Sequence, residues 1–595
     1  MLRRRFTAGQ IPNAIAGYQL KVTGSEEELV NGLIALAHEE IEAGFGEGYW
    51  SDHWDYNLDL IENYLSVYPD KKQELLYGRG DYGFYDSVGV VRPRRDTYVN
   101  NNGKIRQYGA VYHSEEKAAR PGFQAQGTNW LKDREGNKVT TNLFGKLMTL
   151  AVNKFALLDS QGLGVEMEGG KPGWNDAMNG LPGLFGSSMP ETLELKRVVD
   201  FLADEVQERA KAGEKGQELP EELARFMRDI YSALQQKVSD FDYWDKTADL
   251  REAFRQETML CVSGEKEEVS FEELSVILGA FREKLNQAVT RALELGNGVM
   301  PTYFTYEAQE YEALLNEDGS PRISPYGMPG VRVKSFRRTV VPRFLEGPAR
   351  MLAACGKEDR ERAGKMCAEI KKTDIYDQRL KMYKTSESIE NMSMENGRVR
   401  AFTPGWLERE SVFLHMEYKY FLGMLKAGLY DEFYEAVGDA LIPFQKPEVY
   451  GRSILENSSF LASSANPDSS VHGQGFVSRL SGSTVEMLSM WLSMFLGEGG
   501  FGLKDGGLTF TLAPRLRADY FDASGEAAFM LCGSCKVIYH NESGKNTYGS
   551  DAARVCSMVL LENGERHQAE GDTIGGELAL KLRSGKISQI DAYLM

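Results

Sequence analysis

Apolar residues recur every three or four positions along most of the chain. This period predicts amphipathic helices over 26–43, 54–66, 143–158, 190–212, 220–240, 271–294, 343–355, 359–371, 411–426, 430–441 and 483–496. Long glycine-rich and aromatic-rich loops separate them. No repeat of the length seen in helical solenoids is evident, so a closed toroid of paired helices, with its loops lining one mouth, is expected. From about Phe501 the period shortens: LTFTLAP, AAFMLCG, CKVIYHN, VCSMVLLENGE and ELALKLRSG, punctuated by Gly and Asn, read as an antiparallel β domain. The expected division is a linker and first helix over 1–43, a helical catalytic unit over 44–500 and a β domain over 501–595. Segment 241–330 is acidic and reads as an irregular insertion.

With 595 residues, 42% of them hydrophobic, the chain exceeds one typical domain and can bury a large core. Its formal charge of −18 argues against nucleic acid or an anionic membrane as partner. No window is long and apolar enough for a transmembrane helix, and Gln10, Pro12 and Asn13 break any apolar signal core, so a cytoplasmic protein is expected. The 6 cysteines are too few for a disulfide scaffold. Cys532 and Cys535 form a single CxxC with Cys556 beyond; with no second pair they read as structural thiols, and no metal is expected.

Candidate chemistry concentrates in loops. Gly169 to Ser188, GGKPGWNDAMNGLPGLFGSS, is too rich in Gly and Pro for helix or central strand, and it presents Trp174, Asn175 and Asp176 on a connecting loop. Ser187 and Ser188 are cap candidates for a helix that buries Leu193, Val198, Val199, Phe201, Leu202 and Val206. A carboxylate beside an indole suits sugar chemistry: the indole covers a pyranose face, and its apolar flank keeps the acid protonated for leaving-group donation. The alternative is a core tryptophan under a capped turn.

Three further stretches repeat this chemistry. GFGEGYWSDHWDY, Gly44 to Tyr56, sets Trp50 and Trp54 around Asp52, either a sugar floor or a helix cap. RPRRD, Arg92 to Asp96, is an anion clamp or a solvated cluster. VRAFTPGWLERESVFLHMEYKY carries Trp406, Glu408, Glu410 and His415; Glu408 and His415, seven apart, share one helical face if the helix begins early enough. Tyr450 to Trp491 is dense in hydroxyls, carries His472 and Arg479, and runs through Ser481 and Ser483 into a helix. That is a ready anion site, or a loop that satisfies its own backbone.

GWNDAMN, residues 173–179, is similar to the Trp-Asn-Asp signature of the inverting cellobiose phosphorylases and their β-1,2- and β-1,3-oligoglucan phosphorylase relatives. YWSDHWDYNLDL ahead of it, and GWLERESVFLH and RLSGSTVEML after it, stand in the same order as in that clan and resemble its sugar-binding helix start, its Glu and His seven apart, and its phosphate loop. The resemblance spans about 44–515. It implies an (α/α)6 barrel with a small C-terminal antiparallel β-sandwich, and inverting phosphorolysis of β-linked gluco-oligosaccharides to α-glucose 1-phosphate, with inorganic phosphate as co-substrate and no cofactor. By residue match Asp176 is the general acid. Asp52 binds the glucose being transferred, with Trp50, Trp174, Asn175 and Trp406 around the sugar, and Glu408 contacts it next to the scissile bond. His415, Ser481 and Ser483 hold phosphate; Arg479 and Arg94 are added because a dianion in an acidic site needs cations.

The sequence also departs from the pattern. Gly173 replaces an Asp and Ser51 an Arg; Arg409-Glu410-Ser411 stands where Gly-Gly-Gln is usual, and Val485-Glu486 replaces Gly-Trp. A carboxylate near the anion site keeps open an inverting hydrolase that uses Glu408, Glu410 or Glu486 as base. The clan's N-terminal β-sandwich has no counterpart here, so a homo-oligomer, a domain supplied in trans, or a non-catalytic sugar-binding subunit is also entertained.

Overall fold

The computed structural model describes residues 5–37, 51–124, 129–168, 173–477 and 482–595, with side chains throughout except at 51–55. Helices make up 42% of the chain, with small sheets between them. The helices used below are α1 (Ser51–Val67), α2 (Leu143–Phe155), α3 (Met189–Lys211), α4 (Glu221–Leu234), α5 (Asp240–Thr258), α6 (Phe271–Leu295), α7 (Glu346–Cys355), α8 (Arg360–Ile370), α9 (Leu414–Lys426), α10 (Tyr430–Ala440) and α11 (Gly482–Leu496). Their starts follow local chemistry. Asn142, Ser188, Ser239 and Ser270 each accept a backbone N–H at the first turns of α2, α3, α5 and α6, and Pro190 fits the first turn of α3.

Five of these helices, α1, α3, α7, α9 and α11, pack as successive neighbours with their N-termini at one end. Contacts at matching depths fix this direction. On α3, Arg197 reaches Asp59 and Glu62 of α1 at 2.8 Å, while Glu194 meets Arg350 of α7 at 2.9 Å. On α9, Lys419 lies 3.4 Å from Glu486 of α11 and 5.2 Å from the Tyr56 ring of α1. The described parts of the segments that lead into α3, α7, α9 and α11 therefore arrive at one end. Of the other helices, α8 follows α7 and α10 follows α9 through short turns, while α6 lies along α3 and stacks its Phe281 on Phe155 of α2 at 3.8 Å.

Segment 241–330 is not irregular. It contains all of α5 but its first residue, the whole of α6, and β1 (Tyr303–Ala313), which pairs with β2 (Val331–Val340) just beyond the segment and whose Tyr303 and Phe304 pair with Ser188 and Ser187 just ahead of α3. The buried stripe of α5 is Tyr243, Trp244, Thr247, Ala248 and Arg251, two of the five polar, so no continuous apolar period betrays it. Only the first half of β1 is buried, so alternation is lost in the rest. Farther on, β3 (Val412–Phe413), β4 (Phe460–Leu461) and β5 (Gly475–Phe476) form a three-stranded sheet immediately before α9.

From Gly500 onward the chain is mostly strand. Glu526–Leu531, Cys535–Asn541, Ile587–Leu594, Val555–Glu562 and Glu565–Glu570 form a five-stranded sheet in that order. The sheet is mixed rather than wholly antiparallel, because Cys535–Asn541 and Ile587–Leu594 run parallel. A helix at Gly576–Arg583 supplies the reversal that a parallel pair requires.

One buried acid gives a sharp test of this packing. Glu417, on α9, is fully buried and accepts the Tyr383 N–H at 2.8 Å; burial pushes its carboxyl from 4.5 up to about 8. The unfolded carboxyl ionises above 4.5 while the folded one holds its proton, so this group's contribution to stability falls as pH rises from 4.5 to about 8. At neutral pH the linked cost is about 3 kcal/mol. Glu417→Gln, which carries no such proton, is expected to leave Tm near wild type at pH 4.5 and raise it by several degrees at pH 8. Melts at the two pH values check it, and an equal shift at both would refute it.

Candidate active site

Asp176 opens a single 3₁₀ turn, Asp176–Met178, on a loop held tightly by its neighbours. Ala177 and Met178 are fully buried against Phe344, Ile389 and Val399. The Gly180 N–H donates to the Asn396 carbonyl and the Arg398 N–H to Asn179 Oδ1, both at 3.2 Å. A Cβ on Gly180 would stand 1.8 Å from the Glu395 carbonyl oxygen, so this close approach requires glycine. Asp176 itself stays half-buried, beside fully buried Asn175 and half-buried Trp174. Trp174 Nε1 and both polar atoms of the Asn175 amide are buried without a hydrogen-bond partner, although the Tyr303 hydroxyl lies beside Asn175. Each such atom costs roughly 1–3 kcal/mol, which the packing and the backbone hydrogen bonds of the loop offset.

The Trp174 indole stacks on Phe413 at 5.2 Å and begins a file of rings. Phe413 stacks on Phe460 at 4.8 Å, Phe460 on Phe476 at 5.7 Å, and Phe476 on Trp406 at 3.6 Å. The three phenylalanines sit on β3, β4 and β5 in paired register, which is what aligns them. Two candidate loops, separate in sequence, are thus joined end to end: Asp176 follows Trp174 by two residues, and His415 follows Phe413 by two.

Glu408 does not share a helical face with His415, because α9 begins only at Leu414 and β3 precedes it. Glu408 sits instead on a tight turn closed by mutual Trp406 and Arg409 backbone hydrogen bonds of 3.2 Å. Leu407 and Glu410 flank it at φ of 51° and 57°. Left-handed backbone at non-glycine residues costs roughly 1–3 kcal/mol each and persists only where the surroundings over-determine it. Here Arg409 does so: its buried guanidinium donates to the Arg400 and Phe402 carbonyls at 2.9 and 3.0 Å and pairs with Glu390. The Arg409-Glu410-Ser411 departure is therefore a buried brace. Burial raises the Glu410 carboxyl, against the opposing charges of Lys384 and Arg409.

His415 is the second residue of α9 and meets the first of α11. A Cβ on Gly482 would lie 2.1 Å from His415 Nε2, and Ser483 next to it is fully buried. Nε2 is buried without a hydrogen bond; Glu486 Oε1 stands 3.6 Å away, an ion-pair distance. Burial would raise the Glu486 carboxyl, but its contact with His415 and the charge of Lys419 hold it below the ordinary range. Lys419 went unnoticed in the sequence, though it lies one turn after His415 on the same face, a spacing that could have flagged it. Behind this pair a cavity of about 520 Å³ fills the interior of the helix arc; Glu194, Arg350, Lys419 and Glu486 help line it. Burial opposes ionisation of Glu194, yet Arg197 and Arg350 bring its carboxyl down to about 2.

Arg94 is elsewhere. It pairs with Asp245, Asp249 and Glu252 at 2.9, 2.6 and 3.2 Å and lies 5.0 Å from the Trp244 ring, so its charge is already compensated and it is not part of this mouth. His472 bridges Arg379 and the Asn466 carbonyl. Trp50, Arg479 and Ser481 lie outside the described residues, as does the Asp52 side chain, although its backbone belongs to the first turn of α1. Cys535 is buried and Cys532 exposed; His540 is paired with Glu526 and Asp591. Among the described residues no group of His, Cys, Asp and Glu is arranged to hold a metal ion, and no helix is long and apolar enough to cross a membrane.

No family model and no curated protein matches the chain. Among solved structures it is similar to a GH63 mannosylglycerate hydrolase from Thermus thermophilus in complex with glucose. The identity is 13%, 58% of this chain and 91% of that chain are covered, and the TM-score is 0.24. An uncharacterized conserved protein from the same organism matches at 10% identity, covering 67% of this chain and 86% of that one, with a TM-score of 0.22. Likenesses this loose carry no argument about the chemistry of the site.

Proposed function

We propose that this chain cleaves β-glucosidic bonds of gluco-oligosaccharides with inversion, by phosphorolysis that releases α-glucose 1-phosphate. The site would lie at the mouth of an (α/α)6 barrel spanning about 44–500, with 501–595 as a separate β domain. The observation that carries the reading is that Asp176 and His415 are held at one mouth by a continuous file of aromatic rings, with His415 against the N-terminus of α11. An imidazole nitrogen with no hydrogen bond, set against the start of a helix, is suited to an anion. A half-buried carboxyl two residues from an indole is suited to protonating a glycosidic oxygen.

In the proposed step Asp176 gives its proton to the leaving oxygen as the anomeric C–O bond breaks, and a phosphate oxygen bonds to that carbon from the opposite face. Phosphate is itself the nucleophile, so no protein base is needed. Trp174 and Trp406 would wall the sugar; Asn175, Asp52 and Glu408 would hold its hydroxyls; Ser481, Ser483 and Arg479 would complete the phosphate site. Inverting hydrolysis is the second reading, because Glu486 is an ionised carboxylate beside His415 that could activate water. The deciding experiment is to incubate the chain with β-linked gluco-oligosaccharides with and without inorganic phosphate. Phosphate-dependent release of α-glucose 1-phosphate is expected. Free glucose released at the same rate without phosphate would refute phosphorolysis in favour of hydrolysis.

A further inference from the structure

At the opposite end of the same helices the charge balance reverses. Lys426 is the last residue of α9, about 16 Å along the helix from His415. Lys357 follows the end of α7, and Arg360 opens α8. With Arg515 and Arg554 from the strand-rich C-terminal part, they line a cavity of about 300 Å³. One carboxylate, Glu498, lines this cavity with them; Lys357, Lys426 and Arg515 also line the 520 Å³ cavity, where Glu194 and Glu486 stand. Among the described residues Lys357, Arg360, Lys426 and Arg554 make no ion pair, in a chain whose formal charge is −18 and whose arginines are mostly paired.

Helix C-termini explain part of this, since each carries about half a negative charge that favours a nearby lysine. They leave most of the positive charge uncompensated. Nor is the cluster simply mobile surface. Arg515 is fixed: its Nε donates to the Tyr430 hydroxyl at 3.1 Å and its Nη1 to the Ala513 and Pro514 carbonyls at 2.9 and 3.1 Å, while Nη2 stays 4.0 Å from Glu498. Tyr430 and Tyr548 stand 5.2 Å apart and give the cavity an aromatic wall. Gly428 and Gly549 lie on the lining in left-handed backbone, and a side chain at Gly549 would meet open space.

We propose that this cavity binds a small phosphate monoester bearing a ring, such as a sugar phosphate, at a site that adjoins the 520 Å³ cavity but lies about three helical turns from His415. The phosphate would be held by Lys357, Arg360, Lys426 and Arg554, with Arg515 as a fixed donor, and the ring would lie on Tyr430 and Tyr548. The site joins the ends of α7 and α9 to the C-terminal strands, so occupancy would tie these parts together.

The test is calorimetric titration of the full chain with glucose 6-phosphate and, separately, with inorganic phosphate. Wild type is expected to bind glucose 6-phosphate, more weakly at higher salt. The double variant Lys357→Ala/Arg360→Ala should lose at least ten-fold in affinity, and His415→Gln should lose none. Both replaced side chains are exposed, so circular-dichroism melts should match wild type; Arg554→Ala, on the opposite wall, provides an independent loss. Absence of binding in wild type, or binding lost in His415→Gln and kept in the double variant, would overturn the site. Equal affinity for inorganic phosphate would overturn the ester assignment.

Discussion

Asp176→Asn is expected to lower kcat on unactivated gluco-oligosaccharides by about 10³-fold, within the range that a positioned general acid contributes. The amide keeps the size of the carboxyl but has no proton to give to the leaving oxygen. A substrate whose leaving group departs without protonation, such as a glucosyl fluoride, should lose far less, and this asymmetry separates a chemical role from a structural one. The loop should survive the change. Its position rests on buried Ala177 and Met178, on the Gly180 and Arg398 backbone contacts, and on the Trp174–Phe413 stack, none of which uses the carboxylate. Kinetics on the two substrate types, with a melt to verify folding, make the comparison. Equal losses on both would remove Asp176 from proton transfer.

Glu486→Gln distinguishes phosphorolysis from hydrolysis by the sign of its effect. Under phosphorolysis the carboxylate is a like charge beside the incoming dianion, only partly offset by Lys419 at 3.4 Å. Neutralising it should lower KM for phosphate several-fold at similar kcat, since unit charges about 4 Å apart in a solvated mouth interact by about 1 kcal/mol, worth about five-fold. The companion His415→Gln should raise that KM by roughly 10- to 100-fold, the worth of one or two hydrogen bonds to a charged group. Under hydrolysis Glu486 is the base, and its amide should be nearly inactive with or without phosphate. Initial rates against phosphate concentration read both variants. A nearly inactive Glu486→Gln would overturn the phosphorolysis assignment.

Much of the helical frame was legible in the sequence, because amphipathic helices announce themselves through a three-to-four-residue apolar period. Ser188 announced one of the starts. The period failed where burial was not apolar. Helix α5 buries Thr247 and Arg251 along with its aromatics, and β1 exposes its second half, so 241–330 read as irregular although it packs against the main helices. The strand pattern after Phe501 was legible except at ELALKLRSG, which forms the helix Gly576–Arg583 instead; nor was the parallel pair legible, since strand direction is set by connections and partners rather than by alternation.

The candidate site divides in the same way. Residue chemistry singled out Trp174, Asp176, Trp406 and His415 from composition and loop context alone. Their assembly came from elsewhere: Phe413, Phe460 and Phe476 have ordinary core character in sequence, and only the register of β3, β4 and β5 stacks them into a bridge between the two tryptophans. Spacing misled at Glu408, where strand pairing, not helix period, governs the backbone. Charge misled at Arg94, because three carboxylates distant in sequence converge on it. The sequence by itself determined which segments become helices and which loops carry sugar-like chemistry, since both follow from interactions within a few residues. Tertiary structure alone decided which loops share a mouth and which charges remain uncompensated, since both depend on contacts between residues hundreds of positions apart.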